Sequence, residues 1–425
     1  MVEIAVIGAG SSGLAVLRAL RTCGLRVEGF EKGSDVGGVW RYENDNGLSG
    51  AYASLRTNVS RTRMAYPSFP LPASEADFPG HAEMTAYLEA YAEENRLRPF
   101  IRFRTTITSV ESCPDGTSCL RTSDGSTRRY RAVVVAIGVF WCPRVPEYPG
   151  HFDGDAIHSH DYRSPGAFAG RRVLVVGAGQ SASEIAVEVS RVAAGTCLSV
   201  RSGAHVIPRW IDGRPYDRFD VSPLNRMPWR LLNRIYAFRV SRELGNMPAS
   251  WPRATRRILE GIPIVSSDLV PAVRNGQVII RPAIDRLVGG AVRFVDGSED
   301  PVDSIVYATG YRISLPFLSS AVVSANGRDF PLYRRIVPPN HPSLFFAGFV
   351  DAPGGLLPVV ETQSEWIAAV LAGRLSLPAP DRMWDAMKRA ERRTHQRFPN
   401  ESSYSIRCDP HAYRRQLESD LRGVH

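Results

Sequence analysis

The first forty residues contain two short apolar runs with a glycine-rich turn between them. The run Glu3–Ile7 is typical of a buried parallel strand, and the apolar residues from Leu14 to Leu20 recur at the spacing of one helix face. A second apolar run, Arg26–Phe30, ends at the acidic residue Glu31. The order of strand, turn, helix, strand and acid predicts a dinucleotide-binding unit.

The turn of this unit has the residues that a bound pyrophosphate requires: Gly8, Gly10, Ser12 and Gly13. Glycines allow a tight turn and a close approach of the backbone to the phosphates, and the following helix N-terminus carries partial positive charge. Glu31 lies 18 positions after Gly13 and is expected to accept hydrogen bonds from ribose hydroxyls. Since an acid here repels a 2′-phosphate, we interpret this unit as an FAD site.

The same pattern recurs in the middle of the chain, with a strand at Arg172–Val176 and a second strand at Cys197–Val200. Arg201 follows the second strand where the first unit has an acid, and a guanidinium can bind a 2′-phosphate, with Arg209 as a second candidate. Alanine in place of the third glycine of the turn also favours a phosphorylated dinucleotide, so we interpret this unit as an NADPH site. The residues expected to hold the pyrophosphate are Gly177, Gly179, Gln180, Ser181 and Ala182.

Two further apolar strands, Arg131–Ala136 and Ser304–Ala308, bracket the second glycine-rich unit. This arrangement predicts an α/β protein with two nested Rossmann-like domains, in which a three-layer FAD domain with a parallel sheet contains an inserted NADPH domain. The predicted segments are 1–165 for the first part of the FAD domain, 166–305 for the NADPH domain with a helical insert at about 213–263, and 306–425 for the return to the FAD domain.

The composition of the chain excludes or disfavours several other classes of protein. The chain has 425 residues, a net charge of +9 and 44% hydrophobic residues, which excludes a disordered or collagen-like protein. Of its 52 basic residues, 50 are Arg, and a GC-rich genome explains this bias more simply than nucleic-acid binding does. No apolar stretch is long enough to span a membrane, and no signal peptide is expected, so the sequence predicts a cytoplasmic protein without a membrane partner.

The cysteines point away from metal and dithiol chemistry. There are six, and no two of them form a Cys-x-x-Cys pair. This disfavours a zinc ribbon and a dithiol redox centre, so we expect scattered reduced thiols and no metal site.

One motif between the two units narrows the reaction class. Phe152, Gly154, His158 and Tyr162 form the pattern F-x-G-x-x-x-H-x-x-x-Y, and with it the sequence resembles the flavin-containing monooxygenases. The resemblance covers essentially the whole chain. It extends to the segments Gly37–Trp40, Leu55–Asn58, Ala308–Tyr311 and Glu361–Gln363.

The resemblance implies a specific reaction cycle. NADPH reduces FAD, the reduced flavin reacts with O2 to form a C4a-hydroperoxyflavin, and this species transfers one oxygen atom to a nitrogen or sulfur atom of a small organic substrate. The cofactor performs the oxygen chemistry, while the protein holds the reactive species and excludes water. The Arg-rich composition and the compact length of the chain suggest an enzyme of secondary metabolism from a GC-rich bacterium.

The resemblance also implies site residues. Asn58 is the expected catalytic residue, since the matching asparagine in the family lies over the flavin ring. The motif from Phe152 to Tyr162 is expected to link the two domains, and whether His158 and Tyr162 act chemically or only structurally stays open. The further expected cofactor contacts are Lys32, Gly38, Val39, Trp40, Arg56, Thr57, Ile107, Thr309, Gly310 and Gln363.

Several alternatives remain at this point. Baeyer–Villiger oxygenation of a ketone is the main one, although relatives of that type usually have Trp at the position of Tyr162 and a longer chain. An NADPH oxidase or reductase without oxygen insertion is a second alternative. A disulfide reductase lacks its dithiol here, and a non-catalytic NADP(H)-sensing module is disfavoured by the intact Asn58 and Arg201. The sequence leaves the substrate and the oligomeric state open, and a homodimer is compatible with it.

Overall fold

The structure is a computed structural model. It describes residues 3–73, 76–113, 115–218, 229–245, 247–254, 257–258, 263–323, 325, 329–397 and 406–423. Within the predicted helical insert 213–263, the residues outside the described ones are 219–228, 246, 255–256 and 259–262.

The secondary structure alternates between strands and helices. In chain order the strands are β1 (Ile4–Ile7), β2 (Val27–Phe30), β3 (Ile101–Arg102), β4 (Ile107–Ser112), β5 (Ser118–Thr122), β6 (Thr127–Tyr130), β7 (Ala132–Val135), β8 (Gly150–Phe152), β9 (Asp155–His158), β10 (Arg172–Val176), β11 (Gly195–Ser199), β12 (Val206–Ile207), β13 (Trp210–Ile211), β14 (Arg214–Pro215), β15 (Ile264–Val265), β16 (Ile279–Arg281), β17 (Ile284–Gly289), β18 (Ala291–Phe294), β19 (Glu299–Pro301), β20 (Ser304–Tyr307) and β21 (Leu344–Phe346). The helices are α1 (Ser11–Thr22), α2 (His81–Glu94), α3 (Gln180–Val189), α4 (Trp229–Leu244), α5 (Leu269–Arg274), α6 (Leu357–Leu371), α7 (Pro380–Arg397) and α8 (Pro410–Arg422).

The chain divides into two compact units. Unit 1 consists of Met1–Ser49, Arg61–Cys142 and Arg312–His425. Unit 2 consists of Gly50–Ser60 and Pro143–Tyr311. The short segment Gly50–Ser60 therefore belongs to unit 2, although the chain on both sides of it belongs to unit 1.

A five-stranded parallel sheet forms the centre of unit 1, in the order β21-β7-β1-β2-β3. The central strand β1 pairs with both neighbours, so that Ile4 lies opposite Val27 on one side and Ala132 on the other. All four residues of β1 are buried. This explains why the strand reads as an unbroken apolar run, since a parallel strand is covered on both faces.

Helices cover this sheet. The helix α1 follows β1 directly and packs on α6, and α6 in turn packs on α8. Because α6 lies in the interior, polar residues such as Gln363 are buried within it together with the apolar ones. A separate antiparallel sheet, β4-β5-β6, completes unit 1.

Unit 2 has its own five-stranded parallel sheet, in the order β16-β11-β10-β20-β9. Its central strand β10 pairs with β11 and β20, so that Leu174 lies opposite Cys197 and Ile305. The helix α3 follows β10 in the same way that α1 follows β1. Smaller sheets surround this core: β19-β18-β17-β8, β12-β15 and β13-β14.

The predicted fold class is confirmed: the chain is α/β, with two Rossmann-like units built around parallel sheets. Each predicted strand named above is present, with its ends shifted by at most two residues. The domain boundaries at 165 and 305 stay a prediction; in the structure, residues 143–165 lie in unit 2. Among the helices of the described residues, none is both long and apolar enough to cross a membrane.

Candidate functional site: two glycine-rich turns

The first glycine-rich turn joins β1 to α1 in unit 1. A Cβ atom added to Gly13 would lie 1.8 Å from the carbonyl oxygen of Gly8, so only glycine allows the helix to start this close to the strand. No side chain caps α1 at Gly10, which leaves the first-turn amides for another acceptor. The turn therefore has the form that a bound phosphate group requires.

Glu31, which follows β2, forms hydrogen bonds to the backbone of this turn. Its carboxylate accepts a hydrogen bond from the Ala9 amide at 2.8 Å and another from the Gly33 amide at 2.8 Å. The side-chain amide of Asn46 is a third donor, at 3.3 Å. Glu31 is only 5% exposed, so these bonds form away from bulk water and fix the carboxylate beside the turn.

A second glycine pair packs directly on this turn. Gly37 donates its amide to the Ala9 carbonyl at 3.1 Å. A Cβ atom on Gly38 would lie 2.9 Å from the Cα of Gly10, and Gly38 has a φ of +58°. The segment that continues into Val39 and Trp40 can approach the turn this closely because both contacting residues lack a side chain.

These elements surround a cavity of 280 Å³ in unit 1. It combines the glycine backbone and the start of α1 with apolar and aromatic side chains, which suits a ligand with a pyrophosphate and a flat ring system. Of the predicted cofactor residues, those that line it are Gly8, Gly10, Ser12, Glu31, Lys32, Gly38, Val39, Trp40 and Ile107. Lining residues that the sequence analysis missed include Phe30, Asn46, Thr105, Thr106, Trp141 and Phe317.

Gln363 has a different place from the one expected. It is fully buried in α6, where its side-chain oxygen accepts from the Gly348 amide at 3.0 Å and its nitrogen donates to the Tyr413 hydroxyl at 2.8 Å. Gly348 lines the cavity, whereas Gln363 does not. Gln363 thus supports the cavity wall from behind.

The second glycine-rich turn joins β10 to α3 in unit 2. As in the first turn, no side chain caps the helix, here at Gly179. Gln180, the first residue of α3, bonds through its side chain to both backbone groups of Val265, with distances of 2.8 and 2.9 Å. Ser181 is half-buried and Ala182 is fully buried, with its methyl group next to Gly177.

Two carboxylates project from α3 one turn apart, and both bind tyrosines. Glu184 accepts from the Tyr52 hydroxyl, from the Gln180 side chain at 2.7 Å and from the Arg209 guanidinium at 2.7 Å. Burial raises the pKa of Glu184, and burial next to this carboxylate raises the pKa of Tyr52 well above its usual value. Arg209, the second candidate for a 2′-phosphate, forms an ion pair with Glu184.

The segment Gly50–Ser60 carries the predicted catalytic residue. Asn58 has an exposed side chain, while its carbonyl accepts from the Tyr216 hydroxyl at 2.9 Å. Thr57 next to it is 1% exposed, and its hydroxyl has no hydrogen-bond partner within the described part of the chain. Arg56 is exposed. The backbone is therefore held in place while the amide of Asn58 points to solvent.

Close packing explains why the motif has a glycine two residues after Phe152. Phe152 folds its ring over Gly154, where an added Cβ atom would lie 2.7 Å from the ring and 2.4 Å from the Asp303 carbonyl. Only glycine fits beneath this aromatic ring.

His158 is held at both of its ring nitrogens. Nδ1 accepts from the His160 amide at 3.0 Å, and Nε2 lies 3.1 Å from the Gly310 carbonyl, to which it donates. Burial lowers the pKa of His158, in keeping with a neutral ring that uses one nitrogen as acceptor and the other as donor. This arrangement is that of a structural histidine.

Tyr162 ends the motif in a tight aromatic cage. It is 1% exposed, lies between the rings of Tyr52 and Phe168 at centroid distances of 5.6 and 5.9 Å, and donates its hydroxyl to Glu188 at 2.9 Å. Glu188 is the second carboxylate of α3, and it also accepts from Ser54 at 2.9 Å. The motif is thus bonded to the helix of the second glycine-rich turn.

The remaining predicted residues lie at the carboxyl ends of strands in unit 2. Arg201 follows β11 and is exposed, and it forms no ion pair with any residue that the structure describes. Thr309 donates its hydroxyl to the Arg144 carbonyl, and Gly310 has a φ of +84°. The structure therefore brings nine of the predicted cofactor residues together around the cavity in unit 1. The second turn, Arg201 and Thr309 follow the neighbouring strands β10, β11 and β20 of one sheet in unit 2, whereas Gln363 and Thr57 do not line the cavity.

The chain is similar to known proteins along nearly its whole length. A model of the flavin-binding monooxygenase-like family matches residues 1–421. Flavin-containing monooxygenase 3 from Rattus norvegicus is 31% identical to the chain over 98% of its length and 82% of the relative. Flavin-containing monooxygenase 5 from Homo sapiens is 30% identical over 99% of this chain and 83% of the relative.

Solved structures show the same fold. S-allyl-L-cysteine S-oxygenase from Allium sativum superposes with a TM-score of 0.75 at 27% identity, covering 99% of this chain and 88% of that one. Cyclohexanone monooxygenase from Rhodococcus sp. Phi1, bound to NADP+, has a TM-score of 0.73 at 19% identity, over 99% and 97% of the two chains. At that identity the second likeness concerns the fold alone.

Proteins of this family use FAD and NADPH. From the family match and the relatives, the chain belongs to the flavin-binding monooxygenase-like family and is a flavin-dependent monooxygenase with FAD and NADPH as its cofactors.

Proposed function

We propose that this monooxygenase oxygenates a nitrogen or sulfur atom of a small organic substrate. The observation that carries the proposal is the cage around Tyr162, which is filled by Tyr52, Phe168 and the Glu188 carboxylate. Relatives that insert oxygen next to ketones usually have Trp at this position, whereas Tyr162 is 1% exposed, so a larger indole would have to displace the packed neighbours. The similarity to flavin-containing monooxygenases supports the same choice.

The cavity in unit 1 is the proposed FAD site. The uncapped start of α1 would bind the pyrophosphate, and Glu31 would present its remaining lone pairs to ribose hydroxyls. Trp40, Ile107 and Phe317 would border the flavin ring. When bound, FAD and NADPH supply the electron transfer and the activation of O2, and the chain contributes binding, orientation and exclusion of water.

The turn of unit 2 is the proposed NADPH site. Gly177 and Gly179 would allow the pyrophosphate to approach the start of α3, and the exposed guanidinium of Arg201 would bind the 2′-phosphate. Thr309 and Gly310 would border this site at the end of β20.

Asn58 is the proposed catalytic residue, and the contacts around it support the assignment. Its amide is exposed on a backbone that is fixed by Tyr216 and by the buried Thr57, so the amide can hold one orientation toward a bound ligand. His158, with both nitrogens occupied, is proposed to act structurally. A cytoplasmic location and a role in secondary metabolism are also part of this proposal, and a homodimer is compatible with the sequence.

A panel of three substrate classes tests the proposal. The FAD-loaded protein is incubated with NADPH, O2 and one of a tertiary amine, a thioether or a cyclic ketone, and the products are separated by mass. We expect an N-oxide or a sulfoxide formed in proportion to the NADPH consumed. Lactone formation from the ketone alone would replace this proposal with Baeyer–Villiger oxygenation, and hydrogen peroxide as the sole product in all three would leave only an NADPH oxidase.

A further inference from the structure

The segment that carries Asn58 is bonded to the helix of the second glycine-rich turn. Tyr52 donates to Glu184, and Ser54 donates to Glu188 at 2.9 Å, so two residues of the segment 50–60 bind two residues of α3. Glu184 and Glu188 are four positions apart and therefore lie on the same face of the helix.

Glu184 is in turn bonded to the start of the helix. Its other oxygen accepts from Gln180 at 2.7 Å, and Gln180 is the residue that follows Gly179 in the turn. A continuous set of side-chain contacts therefore leads from the turn through Gln180 and Glu184 to Tyr52. The Glu184 side chain is only 15% exposed, which strengthens hydrogen bonds to its charge.

We propose that Glu184 and Glu188 act as positioning residues that fix the Asn58 segment to the dinucleotide turn of unit 2, so that occupancy of the turn orders the segment. The inference rests on the proposed NADPH site. A ligand that immobilises the first turn of α3 also immobilises Gln180 and Glu184, and the segment then has fewer alternative positions to occupy. Tyr52 and Ser54 are the residues through which this effect reaches Asn58.

Hydrogen–deuterium exchange with mass spectrometry tests this coupling without measuring turnover. Exchange is followed in peptides covering 50–60 and 177–189, with and without NADP+, in the FAD-loaded protein. In the unsubstituted protein both peptides should become protected when NADP+ binds. In the double variant Tyr52→Phe, Ser54→Ala the peptide 177–189 should keep its protection, while exchange in 50–60 should be about tenfold faster in the presence of NADP+, because hydrogen bonds to charged groups are lost.

Two further variants make the result specific. Tyr130→Phe removes a similar tyrosine–glutamate bond in unit 1, where Tyr130 donates to Glu28 at 2.6 Å, and should leave both peptides unchanged. Glu188→Gln keeps an acceptor for Ser54 and should largely retain protection of 50–60. Equal protection of 50–60 in the double variant and the unsubstituted protein would overturn the coupling. If NADP+ protects neither peptide in the unsubstituted protein, the proposed NADPH site itself is wrong and the inference falls with it.

A second, independent observation concerns two thiols in the antiparallel sheet of unit 1. The Sγ atoms of Cys113 and Cys119 are 2.7 Å apart, well within van der Waals contact. Cys119 on β5 lies opposite Glu111 on β4, and Cys113 follows two residues after Glu111, so the two cysteines are diagonal neighbours across the hairpin. All six cysteines are free, but these two are adjacent rather than scattered as the sequence predicted.

We propose that Cys113 and Cys119 form an oxidisable dithiol that closes to a disulfide on exposure to a peroxide. Two thiols and one hydrogen peroxide give one disulfide and two waters: the peroxide O–O bond breaks, the sulfur pair loses two electrons, and both thiol protons go to the waters. The sulfurs need to approach by only about 0.7 Å to reach the length of a disulfide bond.

The two cysteines lie away from the cavity in unit 1, which is the proposed FAD site. Ile107, at the start of β4, lines that cavity, and Cys113 lies six residues further on, about 20 Å along an extended strand. Both cysteines are half-buried, so a small peroxide can reach them, whereas Cys408 is buried.

Thiol counting and peptide mapping test the dithiol. The FAD-loaded protein is treated with a slight excess of hydrogen peroxide, the remaining thiols are blocked by alkylation, and the protein is digested without reduction. We expect the alkylated thiols to fall from six to four, the intact mass before alkylation to fall by about 2 Da, and one linked peptide pair containing Cys113 and Cys119. Cys113→Ser should abolish the link, and Cys23→Ser should leave it intact. A link between other cysteines, or oxidation of Cys113 to an acid without a link, would overturn the proposal.

Discussion

Glu31 offers the most direct test of how the sequence builds the cavity in unit 1. Replacing it by Ala removes the acceptor for the Ala9 and Gly33 amides, each bonded at 2.8 Å to a carboxylate that is 5% exposed. A hydrogen bond to a charged group contributes about 1.5–3 kcal/mol, so the two bonds together amount to about 3–6 kcal/mol. This is a large part of the stability of an ordinary domain, about 5–15 kcal/mol.

The assay is urea unfolding of the FAD-loaded protein, followed by tryptophan fluorescence and by the fluorescence of released FAD. We expect Glu31→Ala to lower the free energy of unfolding by about 3 kcal/mol or more and to release FAD at lower urea. Glu31→Gln should lie between, because its side-chain oxygen still accepts one of the two amides. Glu94→Ala, which changes an exposed glutamate at the end of α2, serves as the control. If the free energy of unfolding of Glu31→Ala lies within about 1 kcal/mol of the unsubstituted protein's, at a precision of ~0.5 kcal/mol, the two hydrogen bonds to Glu31 do not stabilise the turn.

Three further predictions concern the proposed site residues. Asn58→Ala should leave FAD bound and reducible by NADPH but raise the fraction of NADPH that ends as hydrogen peroxide, measured with a peroxide-coupled assay; an unchanged fraction would remove Asn58 from the account. Arg201→Ala should raise the KM for NADPH by a factor that corresponds to the loss of about 1.5–3 kcal/mol of binding free energy, and should raise the KM for NADH far less. Equal increases in the two KM values would mean that Arg201 does not bind the 2′-phosphate. Because burial lowers the pKa of His158, the unfolded chain binds its proton more readily, so stability should be full above pH 6.5 and decline as the pH falls below it. Urea unfolding between pH 5 and 8 should show a shallower decline in His158→Asn, and identical pH slopes would contradict a buried neutral histidine.

The sequence predicted the elements that depend on local order. The strands β1 and β10, the turns that follow them and the acid at Glu31 come from patterns within forty residues, where apolar spacing and glycine positions determine the local structure. It did not predict that Glu31 bonds to the backbone of its own turn, because that contact depends on how Gly33 folds back toward Ala9.

Contacts between residues that are far apart in the sequence could not be predicted from the sequence patterns. Tyr52 and Glu184 are 132 positions apart, and nothing in either local pattern indicates that they bond. The close approach of Gly38 to Gly10 is a second contact of this kind. Each of these positions needs a glycine because the other backbone lies next to it. The contact between Cys113 and Cys119 has a different origin: the pair does not have Cys-x-x-Cys spacing, and the register of a hairpin brings the two thiols together.

We propose that this chain transfers an oxygen atom from O2 to nitrogen or sulfur. The most direct measurement supplies isotopically heavy O2, NADPH and a thioether or tertiary amine to the FAD-loaded protein, and weighs the product against the NADPH consumed. We expect one heavy oxygen atom in each molecule of sulfoxide or N-oxide and about one product per NADPH, as for a coupled monooxygenase. Product without the heavy isotope, or NADPH consumption that yields only hydrogen peroxide across a broad set of such substrates, would contradict it.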